Sequence, residues 1–307
     1  MDTWKRSDPA IGWCLERKRS QKTLKRRVLM NKDQGLDERR LIHEKIVVPD
    51  ELPRVSRPRL LKLLQENLTS YHATIINGRA GSGKTVLATD FVRHARRAVS
   101  WYKVDAADSD FRIFYEYLLA SVRRHRPFID ERHLVHLAEA MTTDDTAMLA
   151  EALVYQLSEQ LSETQAEPLL IVIEDLHLVY DAEWVVPFFR RLLPLLPADL
   201  HLLITCRSMP PAPLWRLRSK QMLRVLEEAE MAFTFDEAVS LFNTYGLGED
   251  HARVALRHTN GRAATIASFA DTPGCAGRAL ADSLLEIKEI NRMRYGSLGQ
   301  QTPDFQT

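Results

Sequence analysis

Cysteine is scarce in this sequence. Cys14, Cys206 and Cys275 stand far apart among 307 residues, with no C-x-x-C pair. That spacing excludes a disulfide framework and a thiolate zinc site, and it fits a reducing compartment such as the cytoplasm. Neither sign of charge is in excess. Lys and Arg number 42 against 41 Asp and Glu, a formal net charge of +1. No global field therefore draws the chain to nucleic acid or to an anionic membrane. No run approaches the ~18 uninterrupted apolar residues of a membrane span. The first residues carry charges where a secretory leader needs an apolar core. No internal repeat is visible, which argues against solenoid and propeller folds. What remains is ordinary for a globular protein, at 45% hydrophobic and 27% charged residues.

One stretch has a definite chemistry. "NGRAGSGKT", residues 77–85, sets Gly78, Gly83, Lys84 and Thr85 in the spacing G-x-x-x-x-G-K-T. The residues before it, "YHATIIN", are apolar and β-branched; those after it, "VLATDFVRHARR", have helical spacing. Strand, glycine loop and helix are the context a phosphate-binding loop requires. Loop N–H groups and a helix N-terminus then face phosphate oxygens. Gly81 lets the backbone come close, and Ser82 lies in the same loop. Lys84 reaches the terminal phosphates and Thr85 offers a hydroxyl to Mg²⁺. The motif predicts a nucleotide but leaves motor, kinase and switch open.

The rest of the chain supplies the frame. "AVSWYKVD", "PLLIVIED" and "LHLLITCR" read as further strands, the last two apolar throughout, as strands buried on both faces must be. Helical patterns lie between them. One carries Phe111, Phe114, Tyr117, Leu118 and Val122 inward; another spans 144–164; "WVVPFFRRLLPLL" is helical but interrupted by Pro187 and Pro194. A short entry helix precedes the loop, with Leu60, Leu61, Leu63, Leu64 and Leu68 on its apolar face. The alternation predicts an α/β fold, a doubly wound and mostly parallel sheet, spanning 46–228. After residue 228 the strand signal fades. Residues 229–290 read as a small helical domain, with Thr234 as an N-cap, Gly246 as a stop and a break at Asn260-Gly261. Residues 1–45 form a basic extension with "RKRSQKTLKRR" at 17–27. As a nucleic-acid arm it lacks aromatic interleaving and a following fold, so it reads as solvated and flexible. Residues 291–307 are polar and read as a frayed tail.

A phosphate-binding loop needs a second, acidic element for Mg²⁺. Glu174 and Asp175 end the buried strand "LLIVIED", at the strand edge where open α/β sheets bind ligands. Glu174 suits the metal shell and Asp175 the attacking water. Arg207 ends the next strand, where a guanidinium can report a γ-phosphate. Lys103, Asp105 and His177 are weaker candidates. His133 and His136, spaced i, i+3, have no third metal ligand nearby in sequence.

Over residues 46–270 the chain resembles the STAND-type P-loop ATPase module of MalT-like, LuxR-family ATP-dependent transcriptional regulators. The resemblance is carried by "LPRVSRPRLLKLL", "NGRAGSGKT", "SWYKVDAADSDFRIFYEYL", "LLIVIEDLHLV", "LHLLITCRSMPPAPLWRLRSKQMLRVL" and "FTFDEAVSLF". It implies a RecA-like or AAA-like nucleotide domain followed by a small helical or winged-helix part. ATP would sit between the two and stabilise one of two conformations, with slow hydrolysis as reset. It implies phosphate and Mg²⁺ binding by Lys84 and Thr85, a metal and water pair in Glu174 and Asp175, a sensor in Arg207, and a place near the base for Arg57 or Arg59. The family's Gly-x-Pro in the lid is replaced by Gly261, Arg262 and Ala263, which leaves lid closure an open question. The family also continues for hundreds of residues, whereas this chain stops at Thr307. A stand-alone module, a partner-dependent regulator and a truncated product all fit that length. Three functions stay open: a regulatory ATPase, an ATP-binding interaction platform without turnover, and a small-molecule kinase. ATP is the expected ligand, a protein partner or self-association is allowed for, and DNA binding by this chain alone lacks support.

Overall fold

The computed structural model describes residues 41–140, 145–164 and 167–271. The basic stretch at 17–27, Cys14, Cys275 and the polar tail lie outside the described residues. A short 3-10 turn at His43–Ile46 leads into α1, Pro58–Ser70. Leu60, Leu64 and Leu68 of α1 are buried, and Leu61 and Leu63 pack partly buried against the same core. Then follow β1 (Ala73–Asn77), α2 (Lys84–His94), β2 (Ala98–Lys103), α3 (Phe111–Arg123), α4 (Glu131–Ala140), α5 (Thr146–Thr164) and β3 (Leu169–Glu174). The chain continues through α6 (Val185–Leu195), β4 (Leu200–Cys206), α7 (Ala212–Trp215) and β5 (Leu223–Leu226).

The five strands form one sheet in the order β2-β3-β4-β1-β5, and every pairing is parallel. Strands β3 and β4 are buried along their whole length, which is why they read as unbroken apolar runs. Phe111, Phe114, Tyr117, Leu118 and Val122 of α3 all face inward. The two prolines of α6 do not break it. Pro187 lies in the first turn, where its missing N–H has no intrahelical use, and Pro194 is next to last.

The topology positions the site. Strand β4 lies between β1, which feeds the glycine loop, and β3, which ends in the acidic pair. Neighbouring strands are about 4.8 Å apart. Whatever ends β4 therefore stands between phosphate loop and carboxylates.

Among the described residues, β5 is followed by α8 (Glu228–Met231), α9 (Phe235–Asn243), α10 (Glu249–Thr259) and α11 (Ala263–Asp271). Thr234 caps α9 in a reciprocal box with Glu237, and Gly246 takes a positive φ of 71° after it. Asn260 ends α10 in a left-handed conformation. Ala238, Leu241, Phe242, Ala252, Ala255, Ile266 and Phe269 make a separate small core. Among the described residues, no helix is long and apolar enough to cross a membrane, and no group of three His, Cys, Asp or Glu could hold a metal ion. His133 and His136 are exposed on α4.

Candidate nucleotide site

The loop between β1 and α2 turns on two left-handed glycines, Gly81 at φ 78° and Gly83 at φ 85°. Gly83 is the N-cap of α2, and the first N–H groups of any helix lack partners within it. A helix N-terminus at the end of a tight loop suits an anion. Lys84 is only 6% exposed. Its ammonium donates to the carbonyls of Gly78 at 2.7 Å and Arg79 at 3.1 Å, folded over the loop it belongs to. Burial lowers its pKa. Ser82 Oγ is buried in the loop without a partner.

The Thr85 hydroxyl donates to Glu174 Oε1 at 2.5 Å. A hydroxyl has one hydrogen and two lone pairs, so this bond leaves the Thr85 oxygen free to accept or to ligate a cation. Glu174 is 2% exposed, and burial pushes its carboxyl pKa up. Its second oxygen, Oε2, is buried with no partner.

Asp175 sits in the left-handed region at φ 58°. That strained turn is anchored by its N–H, which donates to Thr205 Oγ1 of β4 at 3.0 Å. Arg207 Nε and His177 Nδ1 both lie 3.7 Å from Asp175 Oδ1. Burial lowers the His177 pKa, and Asp175 opposes that. Cys206 is buried and its thiol is pushed up to about 11 by burial, which makes it unreactive. Lys103 and Asp105 end β2 and the loop after it, and Asp105 caps the turn at Ala106–Ser109.

The helical part meets the loop from the other side. Ala264 N–H at the start of α11 donates to Gly81 O at 2.9 Å, and the Arg262 guanidinium donates to Ala80 O. A Cβ on Gly81 would stand 2.9 Å from Ala264 Cβ, and one on Gly83 would stand 3.0 Å from Ala263 Cβ. The "TNGRAAT" stretch therefore rests on the phosphate loop without a proline, because small side chains on one part meet glycines on the other. Arg57 is buried, donates to Met231 O at 2.6 Å and stacks over the Phe233 ring. It also lies 3.6 Å from where a Gly83 Cβ would be. Arg59 points elsewhere, to Glu230 O, Ala232 O and the Glu237 carboxylate, at the joint between sheet domain and helices. Between loop and helices lies a cavity of about 760 Å³, lined by Arg79, Ser82, Met231, Gly261, Arg262 and Thr265 among others.

The structure thus gathers Gly78–Thr85, Glu174, Asp175, Arg207 and Arg57 at the end of the sheet, and neither Arg57 nor Arg59 lines the cavity. Sequence reasoning did not assign the contacts of Arg262, Ala263 and Ala264 with the loop, the Thr205 anchor, or Glu228. The Glu228 carboxylate takes the Arg79 backbone N–H at 2.8 Å as well as its side chain. The Asn-Gly break just before Arg262 was the one available signal, since it announces a helix start.

The chain is similar to several known proteins. A family model for the AAA ATPase domain matches residues 56–205. The HTH-type transcriptional regulator MalT of Serratia proteamaculans is 30% identical over 205 residues, covering 64% of this chain and 22% of that protein. MalT of Vibrio parahaemolyticus is 25% identical over 254 residues, covering 81% of this chain and 27% of that protein. The chain therefore spans about a quarter of the length of these relatives. Among solved structures, the Walker-type ATPase of Pyrococcus abyssi is 15% identical, with 79% of this chain and 76% of that one covered and a TM-score of 0.46. Residues 56–205 match the AAA ATPase domain family, and the chain is similar to MalT-type transcriptional regulators over 64–81% of its length.

Proposed function

We propose that this chain binds ATP with Mg²⁺ between the sheet end and the small helical part, and that the bound nucleotide selects one of two arrangements of those parts. The observation that carries the reading is the direct bonding of α11 to the glycine loop, through Ala264 and Arg262. A phosphate in the loop and the helical part on the loop compete for, or share, the same backbone. Any difference in how ATP and ADP fill the loop becomes a difference in how the helices dock.

The residues present fit both groups. Gly78, Gly81 and Gly83 leave the loop backbone open to phosphates, and Lys84 is held there by two neutral carbonyls, which a charged phosphate oxygen would displace as the stronger partner. Thr85, with its hydrogen already given to Glu174, would hold Mg²⁺ through its lone pairs, while Glu174 neutralises charge beside it. Mg²⁺ there supplies charge neutralisation and orientation of the phosphates. Arg57 and the cavity beside Met231 would take the nucleoside end. Asp175 would orient an attacking water and Arg207 would reach a terminal phosphate. The output fits control of transcription in the cytoplasm, because the MalT relatives are transcriptional regulators.

One observation favours the reading without turnover. Asp175 Oδ1 has both Arg207 Nε and His177 Nδ1 at 3.7 Å, charge partners that would compete with a water for that oxygen. Energy transfer between probes at the exposed Lys62 and Arg257 tests the switch. Transfer should differ between ADP and a non-hydrolysable ATP analogue. Equal transfer with both would remove the switch while leaving nucleotide binding intact.

A further inference from the structure

Two buried polar atoms near the site have no partner, and they are complementary. One is Glu174 Oε2, a charged acceptor; the other is the indole Nε1 of Trp101, a donor only. Each is costly to leave alone in a dry interior. Trp101 is 1% exposed and lies in β2, two residues before Lys103. Strands β2 and β3 pair in parallel with Trp101 beside Val172 and Lys103 beside Glu174.

Paired residues of neighbouring strands share a face, and alternate residues along a strand return to it. Trp101, Val172 and Glu174 therefore line one face of the sheet. It is the face covered by α2. Trp101 packs in one cluster with Leu87, Phe91, Leu170 and Val172, and α2 also delivers Thr85 to Glu174. Trp101 and Glu174 are diagonal neighbours, two residues along and one strand across, roughly 8 Å apart at the backbone. The indole and the glutamate side chain together span that distance. The neighbouring Tyr102 faces the other way, against Phe114 and Tyr117 of α3.

We propose that Trp101 is the positioning residue of the acidic strand, its indole N–H holding Glu174 Oε2 so that Oε1 stays aimed at Thr85. Glutamate is one methylene longer than aspartate and has one more rotatable bond. Held by Thr85 alone, its carboxylate could swing; held at both oxygens, it cannot. Burial pushes the Glu174 carboxyl up, while the Thr85 hydroxyl and the Lys103 ammonium favour its charged form. The inference rests on the nucleotide and Mg²⁺ reading for its consequence but not for its geometry.

The two parts can be tested separately. In protein labelled with ¹⁵N at tryptophan, Trp101→Phe removes one indole cross-peak and so assigns it. In an otherwise wild-type chain without nucleotide, Glu174→Gln should move that peak upfield, because a charged acceptor becomes neutral. A peak that ignores Glu174→Gln overturns the proposal. Should Trp101→Phe not fold, replacing the other tryptophans one at a time by Phe assigns the peak by elimination, and the Glu174→Gln result decides alone. The second readout is the Mg²⁺-dependent gain in affinity for a fluorescent ATP analogue, the ratio of affinities with Mg²⁺ and with EDTA. Trp101→Phe should cut that ratio about tenfold, the worth of one hydrogen bond to a charge. A wild-type gain that Trp101→Phe leaves whole refutes Trp101 alone. No gain in the wild type refutes the Mg²⁺ reading of the site and leaves the indole result standing.

Discussion

Replacing Gly81 by alanine separates the docking of the helical part from the strain of the loop. Two costs follow from the geometry. Gly81 sits at φ 78°, and an alanine there costs about 1 kcal/mol whether or not the helices are docked. The second cost falls on docking alone. The new Cβ would lie 2.9 Å from Ala264 Cβ, well inside the ~3.5–4.0 Å of a relaxed carbon contact. The start of α11 must withdraw, and the Ala264 N–H to Gly81 O bond weakens with it. Together these cost docking about 1–2 kcal/mol, a 5- to 30-fold shift toward the undocked state. Gly246 is the control. It has a similar positive φ of 71°, but a Cβ there meets nothing within 4 Å. Native-state hydrogen exchange at the Ala264 amide reads docking, and the urea midpoint reads total stability. Gly81→Ala should speed Ala264 exchange 5- to 30-fold and lower stability further. Gly246→Ala should lower stability by about 1 kcal/mol and leave docking alone. Ala264 exchange that is equal in the two variants would refute the contact between α11 and the loop.

Three further outcomes are expected. His201 is buried in β4, between Thr74 Oγ1 and the Tyr71 carbonyl, and burial lowers its pKa from 6.5 to about 4. The unfolded chain then binds a proton that the folded chain refuses. Stability from this group is whole above about pH 6.5 and is lost as pH falls toward 4, by about 3 kcal/mol in all. Urea midpoints should fall across that window and fall less in His201→Gln; equal slopes would contradict the assignment. Lys45 bonds to Asp108 at 2.6 and 2.8 Å, and Asp108 has no exposure at all. Lys45→Met strands that charge and should cost about 3–5 kcal/mol by urea denaturation; a loss below about 1 kcal/mol would show the pair to be dispensable. Asp175→Asn should lower single-turnover ATP hydrolysis at least about 100-fold with little effect on ATP affinity. Unchanged hydrolysis would remove Asp175 as the group that activates water.

Much of this site was legible in the sequence, for a physical reason. A phosphate loop needs glycine, lysine and a hydroxyl at fixed spacing, so Gly78–Thr85 announces itself. Buried parallel strands must be apolar on both faces, so "LLIVIED" and "LHLLITC" give their place and their ends, and with them Glu174, Asp175 and Arg207. What stayed hidden depends on contacts between residues far apart. Arg57 and Arg59 look equivalent in sequence, yet one is buried beside Gly83 and the other reaches the joint at Glu237, because Arg57 is the non-helical cap before α1 and Arg59 lies in its first turn. Lys45 closes the stretch read as a solvated basic extension, but its partner Asp108 lies 63 residues on, and the pair buries it. The missing lid proline left closure undecided, because the fit of Ala263 and Ala264 against two glycines is a matter of shape that no periodicity records.

The most direct test of the central claim is calorimetric titration of the full chain with ATP and with ADP, each with Mg²⁺ and with EDTA, for the wild type and Lys84→Ala. The account predicts saturable one-to-one binding strengthened by Mg²⁺ and weakened at least about 100-fold by Lys84→Ala, since that change removes the buried ammonium that would meet the phosphates. No binding by the wild type, or binding that Lys84→Ala leaves intact, would contradict it.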